Sequence, residues 1–284
     1  MTPTAVTRLA PGKINLYLRV LGRRPDGYHA IDSVLLPLEL ADRVELRVEP
    51  APAAAVFCRC PTTPELDGPD NLAARAAAAF LDATGHRARV AVTVHKSIWI
   101  AAGLGGGSSD AAAVLRLLAE TLGGLDHSGL LELAGSLGAD VPFFVKGRPA
   151  RARGIGELLT PIDLPPFPLV LVNPGRPLSA REVYQALGCA APPPEDPEQL
   201  PAPSRDKLLQ LLQNDLLEPA RRLCPEIGAM LELLGEVGAA ASSMSGSGPT
   251  VFGVFHDHDR ARGAAEKIQR STDFTAVATH TVAP

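Results

Sequence analysis

The segment Gly103-Leu104-Gly105-Gly106-Gly107-Ser108-Ser109-Asp110 constrains this chain more than any other. It follows the alternating run Val90-Ala91-Val92-Thr93-Val94, and it leads into an alanine- and leucine-rich helix expected from about Asp110 to Leu122. Strand, glycine-rich loop and helix come in that order. Glycines leave backbone N–H groups uncovered, a helix start adds the positive end of its dipole, and two serines add hydroxyls, a combination that suits a polyphosphate. No Gly-Lys-Ser/Thr closes the loop, so it is not a Walker A motif. Ser108 stands where a dinucleotide fingerprint needs its third Gly or Ala. Two large nucleotide-binding classes therefore drop out, while a flexible loop with Ser109 as an ordinary N-cap stays open as the plainer alternative.

A second Gly/Ser segment, Ser242-Ser243-Met244-Ser245-Gly246-Ser247-Gly248-Pro249, lies in the other half of the chain, between a helical pattern and the strand Val251–Phe255. Either it is a simple turn, or the two segments line one cleft from two domains. Lys13 follows Pro11-Gly12, a break in the pattern, and begins an apolar strand; its ammonium either faces a site or snorkels to the surface. Asp140 stands between a Gly-terminated helix and the apolar Val141-Pro142-Phe143-Phe144, read as a strand, so it is either a turn-capping residue or a general base. Asp26-Gly27-Tyr28-His29 sets an aromatic ring beside an imidazole after a turn. Tyr28 can stack on a planar base while His29 reads its edge, or the pair belongs to an exposed hairpin. His256-Asp257-His258-Asp259 is a solvated turn with Asp259 capping the last helix rather than a metal site, because no third partner is in view.

The remaining pattern is α/β. Strands are expected over Val6–Leu21 and Val34–Val48, helices over Leu72–Leu81 after the capping Asp70-Asn71, from the N-cap Ser128 to Leu137, and over Asp206–Leu217, Pro225–Leu234 and Asp259–Arg270. Prolines 161, 165, 166 and 168 precede the apolar strand Leu169–Val172, which places a domain boundary near residue 160: an N-terminal domain over 1–160 and a C-terminal one over 161–284. Six prolines between Pro192 and Pro203 require an extended surface loop.

With 284 residues the chain is long enough for two ordinary domains, and its net charge of −4 argues against nucleic acid or an anionic membrane surface as partner, so any anion must be held locally. No apolar run approaches the ~18 residues of a membrane span. Arg8, Lys13, Asn15 and Arg19 interrupt any signal-peptide core, which makes the cytoplasm the expected compartment. Cys58, Cys60, Cys189 and Cys224 are too scattered for a disulfide framework or paired zinc ligands and read as reduced thiols; no metal ligand is assigned.

Taken in order, Pro11-Gly12-Lys13-Ile14-Asn15-Leu16, Asp26-Gly27-Tyr28-His29, Ala102 to Ala113, Gly138 to Phe144, Gly154-Ile155-Gly156-Glu157 and Ser245-Gly246-Ser247-Gly248 resemble the superfamily of galactokinase, homoserine kinase, mevalonate kinase and phosphomevalonate kinase. The likeness runs from about Leu9 to Phe255. It implies a two-domain α/β (α+β) small-molecule kinase with its active site in the cleft between the domains. ATP with Mg²⁺ would be the phosphoryl donor, and the Asp-Gly-Tyr-His turn singles out a cytidine-diphosphate sugar alcohol as the small-molecule acceptor. By motif position the resemblance makes Asp140 the base and Lys13 the cation that sits between that carboxylate and the γ-phosphate. It puts ATP on Asn71, Lys96, Ala102, Gly103, Leu104, Gly105, Gly106, Gly107, Ser108 and Ser109. The acceptor falls to Asn15, Tyr28, His29, Tyr184, Ser245 and Gly246. Trp99 replaces a proline usual in the family, and Ala180 a frequent threonine.

Overall fold

A computed structural model describes residues 4–188, 209–210 and 212–282. The chain divides into two compact units, and the division does not follow one cut near residue 160: residues 1–12, 40–99 and 105–147 form the first, and 13–39, 100–104 and 148–284 the second. The physical reason lies in two long strands, β1 (Thr4–Arg23) and β2 (His29–Pro50), each of which contributes one half to either unit. β1 runs unbroken through Pro11-Gly12, the expected break.

In the first unit the C-terminal half of β2 pairs antiparallel with β4 (Ala88–His95), with Val44 opposite Val94, and β4 pairs parallel with β3 (Ala55–Arg59), with Cys58 opposite Val92. Alternation buries Val90, Val92 and Val94 on one face. Helices cover that sheet. α1 (Leu72–Thr84) buries Phe80 and Leu81 together with Ala73, Ala74, Ala76 and Ala77, whose small side chains let α2 (Gly106–Leu122) approach closely; Gly85, at φ +69°, ends it in the left-handed conformation only glycine adopts without cost. α2 begins at Gly106, four residues before the expected Asp110, because Gly105 turns the chain at φ +70° and the glycines and serines themselves take helical dihedrals. α3 (His127–Leu137) is capped by Asp126, whose carboxylate accepts from Gly129 N, and not by Ser128. Val141–Lys146 is α4, a short helix and not the strand expected after Asp140: Pro142 fits the first turn, where its missing N–H costs nothing, and five apolar residues bury on both faces against α2 and α3.

In the second unit the N-terminal half of β2 pairs with β5 (Ala150–Gly154), which pairs with β6 (Leu158–Pro161). A separate antiparallel sheet has the order β10 (Thr275–His280), β7 (Pro168–Asn173), β9 (Val251–Val254), β8 (Ala241–Met244). β7 is central and buried along its whole length, which is why its sequence is continuous rather than alternating. Against this sheet pack α5 (Ala180–Leu187), α6 (Leu217–Leu223), α7 (Glu226–Glu236) and α8 (His258–Ser271), with Val170, Val172, Met230, Leu234, Val251, Ala261 and Ile268 in the shared core. Asp257, not Asp259, caps α8 through Arg260 N. Strands β3, β5, β6 and β10 had no clear sequence signal. The proline-rich stretch 192–203 and Cys189 lie outside the described residues, as do residues 206–208 and 211 of the helix expected over 206–217; of the rest, 209–210 are helical, 212–216 are not, and Leu217 begins α6.

Candidate active site

The two Gly/Ser segments are built on different supports. Within the second unit, Lys13 sits on β1, 4% exposed, and its backbone N–H donates to Leu104 O at 2.9 Å. Lys13 Nζ donates to Asn15 Oδ1 at 2.6 Å, and Asn15 Nδ2 donates to Ser33 Oγ at 2.8 Å, whose own hydroxyl donates to Tyr17 O. Residues 13, 15 and 17 alternate onto one face of the strand. The Asn15 N–H donates to Ser245 Oγ, and that hydroxyl donates to Gly103 O at 2.9 Å. Ser245 therefore ties the beginning of the first glycine segment to the second.

This junction by itself requires glycine at 103. Its φ is +76°, and a Cβ there would lie 2.2 Å from Ser245 O. Gly246, at φ +56°, is equally confined: a Cβ would stand 3.1 Å from Gly103 O and 3.2 Å from Lys13 Nζ. Asn214 holds the second segment from below, its Nδ2 donating to both Met244 O and Gly246 O at 2.8 Å. Ala102 and Leu104 are buried and anchor the loop.

Within the first unit the rest of the loop opens α2. Lys96, just past β4, lies between two carboxylates: its Nζ donates to Asp42 Oδ2 at 2.5 Å and to Asp110 Oδ2 at 2.7 Å. Asp42 Oδ1 accepts from the N–H groups of Ser97 and Ile98, so the turn after β4 is fixed to β2. Burial works against the Lys96 ammonium, but the two carboxylates outweigh it and raise its pKa. The Asp110 carboxyl is pushed up to about 7, first by burial and then by the neighbouring Asp42, against the pull of Lys96. Gly106 lies on this cluster, where a Cβ would be 3.1 Å from Ile98 Cγ2 and 3.2 Å from Lys96 Nζ. At Gly107 a Cβ would meet nothing within 4 Å, and its φ is not left-handed, so glycine here leaves the backbone open to whatever approaches it. Ser108 follows on the same first turn. Ser109 Oγ and Asp110 Oδ1 are buried without a hydrogen-bond partner among the described residues.

Asn71 is the N-cap of α1: Oδ1 accepts from Ala73 N, and Nδ2 donates to Leu66 O and Cys60 Sγ, so its amide is engaged with its own turn. Asp140 occupies the position before α4 without capping it through its side chain, which removes the capping role that its sequence context allowed. Cys58, Cys60 and Cys224 are free buried thiols, that of Cys58 pushed up to about 12 chiefly by burial. Among the described residues no group of three His, Cys, Asp or Glu could hold a metal, the His256–Asp259 run included.

The second unit also contains a cavity of about 1310 Å³ lined by Asp26, Tyr28, His29, Ile155, Arg181 and Tyr184 among others. The His29 and Tyr184 rings stack on each other with centroids 4.9 Å apart and planes 26° apart. Tyr28 is 62% exposed at its rim. The ring that stacks on Tyr184 is thus His29. Asp26 shapes the turn by accepting from Tyr28 N and from Arg24 Nε. His29 has its pKa lowered by burial and then by the Arg23 charge.

Asp42, Asp110, Ser33, Asn214 and Arg181 were missed in the sequence. Asp110 had a signal: a carboxylate leading directly into Ala111-Ala112-Ala113-Val114-Leu115 is buried and needs a cation. Asp42 and Asn214 had none, because their partners are distant in sequence.

Comparison with known proteins bears on this arrangement. Residues 71–148 match the GHMP kinases N terminal domain and residues 198–272 the GHMP kinases C terminal family. A protein of Anaeromyxobacter dehalogenans (strain 2CP-C) named 4-diphosphocytidyl-2-C-methyl-D-erythritol kinase is 49% identical over 265 residues, covering 92% of this chain and 84% of the relative. The chain belongs to the GHMP kinase family. A second relative of the same name, from Geobacter metallireducens (strain ATCC 53774 / DSM 7210 / GS-15), is 44% identical, with 96% and 98% covered. A crystal structure of 4-(cytidine 5'-diphospho)-2C-methyl-D-erythritol kinase superposes with TM-score 0.79 at 40% identity, covering 98% of this chain and all of that one. L. major mevalonate kinase, at 15% identity and TM-score 0.70, shares the GHMP kinase fold. The protein is a kinase of the two-domain GHMP type, as its motifs implied. No helix among the described residues is long and apolar enough to cross a membrane.

Proposed function

We propose that this kinase transfers the γ-phosphoryl group of ATP to the 2-hydroxyl of 4-diphosphocytidyl-2-C-methyl-D-erythritol, in the non-mevalonate route to isoprenoid precursors. The observation that carries the choice of acceptor is the cavity in which His29 stacks on Tyr184 beside Tyr28, in a chain 49% identical to a relative of that name. An aromatic platform with an imidazole fits a pyrimidine, whereas a bare polyol would need only hydrogen-bonding groups.

Phosphoryl transfer asks a protein mainly to position two oxygens in line and to neutralise charge. Asp140 would take the proton of the attacking hydroxyl, and Lys13, oriented by Asn15, would stabilise the charge on the moving phosphoryl group. The open backbone at Gly107, with the first N–H groups of α2, would receive the ATP phosphates. Mg²⁺ bound through phosphates needs few protein ligands, so the lack of a three-carboxylate cluster among the described residues is compatible with it; the unpartnered Ser109 hydroxyl fits as one donor. Such an ion would supply neutralisation of the phosphate oxygens. Lys96 and Asn71 would act here indirectly, by fixing the loop and the start of α1. The compartment we propose is the cytoplasm.

The test measures ATP consumption with the cytidine compound, with a mevalonate-type alcohol and with no acceptor. Turnover should require the cytidine compound and fall by roughly 10²–10⁴ in Asp140→Asn, with ATP and acceptor binding kept within a few fold. Equal turnover on the mevalonate-type alcohol overturns the acceptor, and near-normal turnover in Asp140→Asn removes that residue from the chemistry.

A further inference from the structure

The cavity that holds the stacked rings carries more positive charge than a base needs. Its lining contains three guanidinium groups, Arg23, Arg24 and Arg181, and one carboxylate, Asp26. That carboxylate is already paired with Arg24, 2.9 Å away. Arg23 and Arg181 have no carboxylate partner among the described residues. Two uncompensated cations at one cavity stand out in a chain whose net charge is −4.

Both guanidinium groups are placed by the elements that place the rings. Arg181 and Tyr184 are three residues apart on α5 and share a helix face, so Arg181 stands one turn before the stacking ring. Arg23 ends β1, and its Nε donates to Gly27 O at 3.4 Å, holding its head against the turn that presents Tyr28 and His29. Its charge is felt at His29. A stacked ring pair and two guanidinium groups with no carboxylate partner among the described residues thus line one cavity, a combination suited to phosphate oxygens attached to a nucleoside.

We propose that Arg23 and Arg181 bind the diphosphate of the acceptor and thereby select a nucleoside diphosphate conjugate over a nucleoside or an uncharged alcohol. This rests on the reading of the cavity as the acceptor's base site. A pyrimidine is read there by stacking and edge contacts, while the two negative phosphates next to it are read by charge and planar hydrogen bonding.

The experiment is calorimetric titration of the full chain with cytidine, CMP and CDP, with Arg23→Ala, Arg181→Ala, Arg181→Lys and Tyr184→Ala as variants. The native protein should bind CDP at least about tenfold more tightly than cytidine, with CMP between, and the difference should shrink as salt rises. Arg23→Ala and Arg181→Ala should each weaken CDP by about 5- to 30-fold and cytidine by less than twofold, with Arg181→Lys retaining part of the preference. Tyr184→Ala should weaken cytidine and CDP in equal proportion. Unchanged cytidine binding in the arginine variants shows that the cavity is intact. If the native protein binds cytidine and CDP equally, or if either alanine variant lowers both in proportion, the diphosphate assignment falls while the base site stands. If neither compound binds the native protein, the base site falls and this inference with it.

Discussion

The two Gly/Ser segments look alike in sequence and are held by opposite chemistry. In the first unit the start of α2 rests on Lys96 clasped by Asp42 and Asp110, a buried cluster of one cation and two carboxylates. In the second unit the turn at Ser245-Gly246 is joined to Lys13 and Gly103 through amides, hydroxyls and backbone carbonyls. A charged cluster out of water is stable only while every member is present, whereas a neutral network loses one hydrogen bond at a time. The first support is brittle. The second is graded, and it lies beside the lysine to which we assign the chemistry, where fine positioning matters more than rigidity.

Four substitutions break or sharpen this contrast. Lys96→Met leaves two buried carboxylates without their cation and should cost about 3–5 kcal/mol in urea unfolding; a loss below about 1 kcal/mol would mean that the cluster is not what holds α2. Gly103→Ala puts a Cβ against Ser245 O and demands a left-handed alanine, so we expect about 3 kcal/mol of destabilisation together with loss of turnover, seen in thermal melts and assays of the same sample. Retention of native stability there would show that the junction can open freely.

The third test concerns pH. The Asp110 carboxyl, pushed up to about 7, binds its proton more tightly in the folded chain than in the unfolded one, where an aspartate titrates near about 3.9. Between those values the folded state carries the extra proton, so stability falls as pH rises from about 4 to about 7. Asp110→Asn should flatten that slope in urea midpoints measured across the window; an unchanged slope would assign it to other groups. The smallest effect belongs to Gly107→Ala. With open space around it and helical dihedrals, alanine should stabilise the fold by about 0.5–1 kcal/mol, while the ATP KM rises because the methyl group covers the backbone we assign to the phosphates. A variant that gains stability with an unchanged ATP KM would move the phosphates away from Gly107.

What the sequence determined by itself is whatever depends on near neighbours. The cap at Asp70-Asn71, the alternation of β4 and the order of strand, glycine loop and helix are all decided within a few residues, and they stand in the structure as read. The motif set likewise pointed to the GHMP kinases. Tertiary structure decided the rest, because it depends on partners far along the chain. The strand expected at Val141–Phe144 is a helix since both of its faces are covered, a condition that erases the difference between strand and helix periodicity. Gly103 proved to be confined by the Ser245 carbonyl, 142 residues away, and Lys96 is held by Asp42, 54 residues away, so the same letters that suggested a ligand contact also carry a packing or electrostatic constraint. Sequence spacing reports what a residue is able to do; which of those capacities remains unspent is settled when the fold brings its partners within hydrogen-bonding distance.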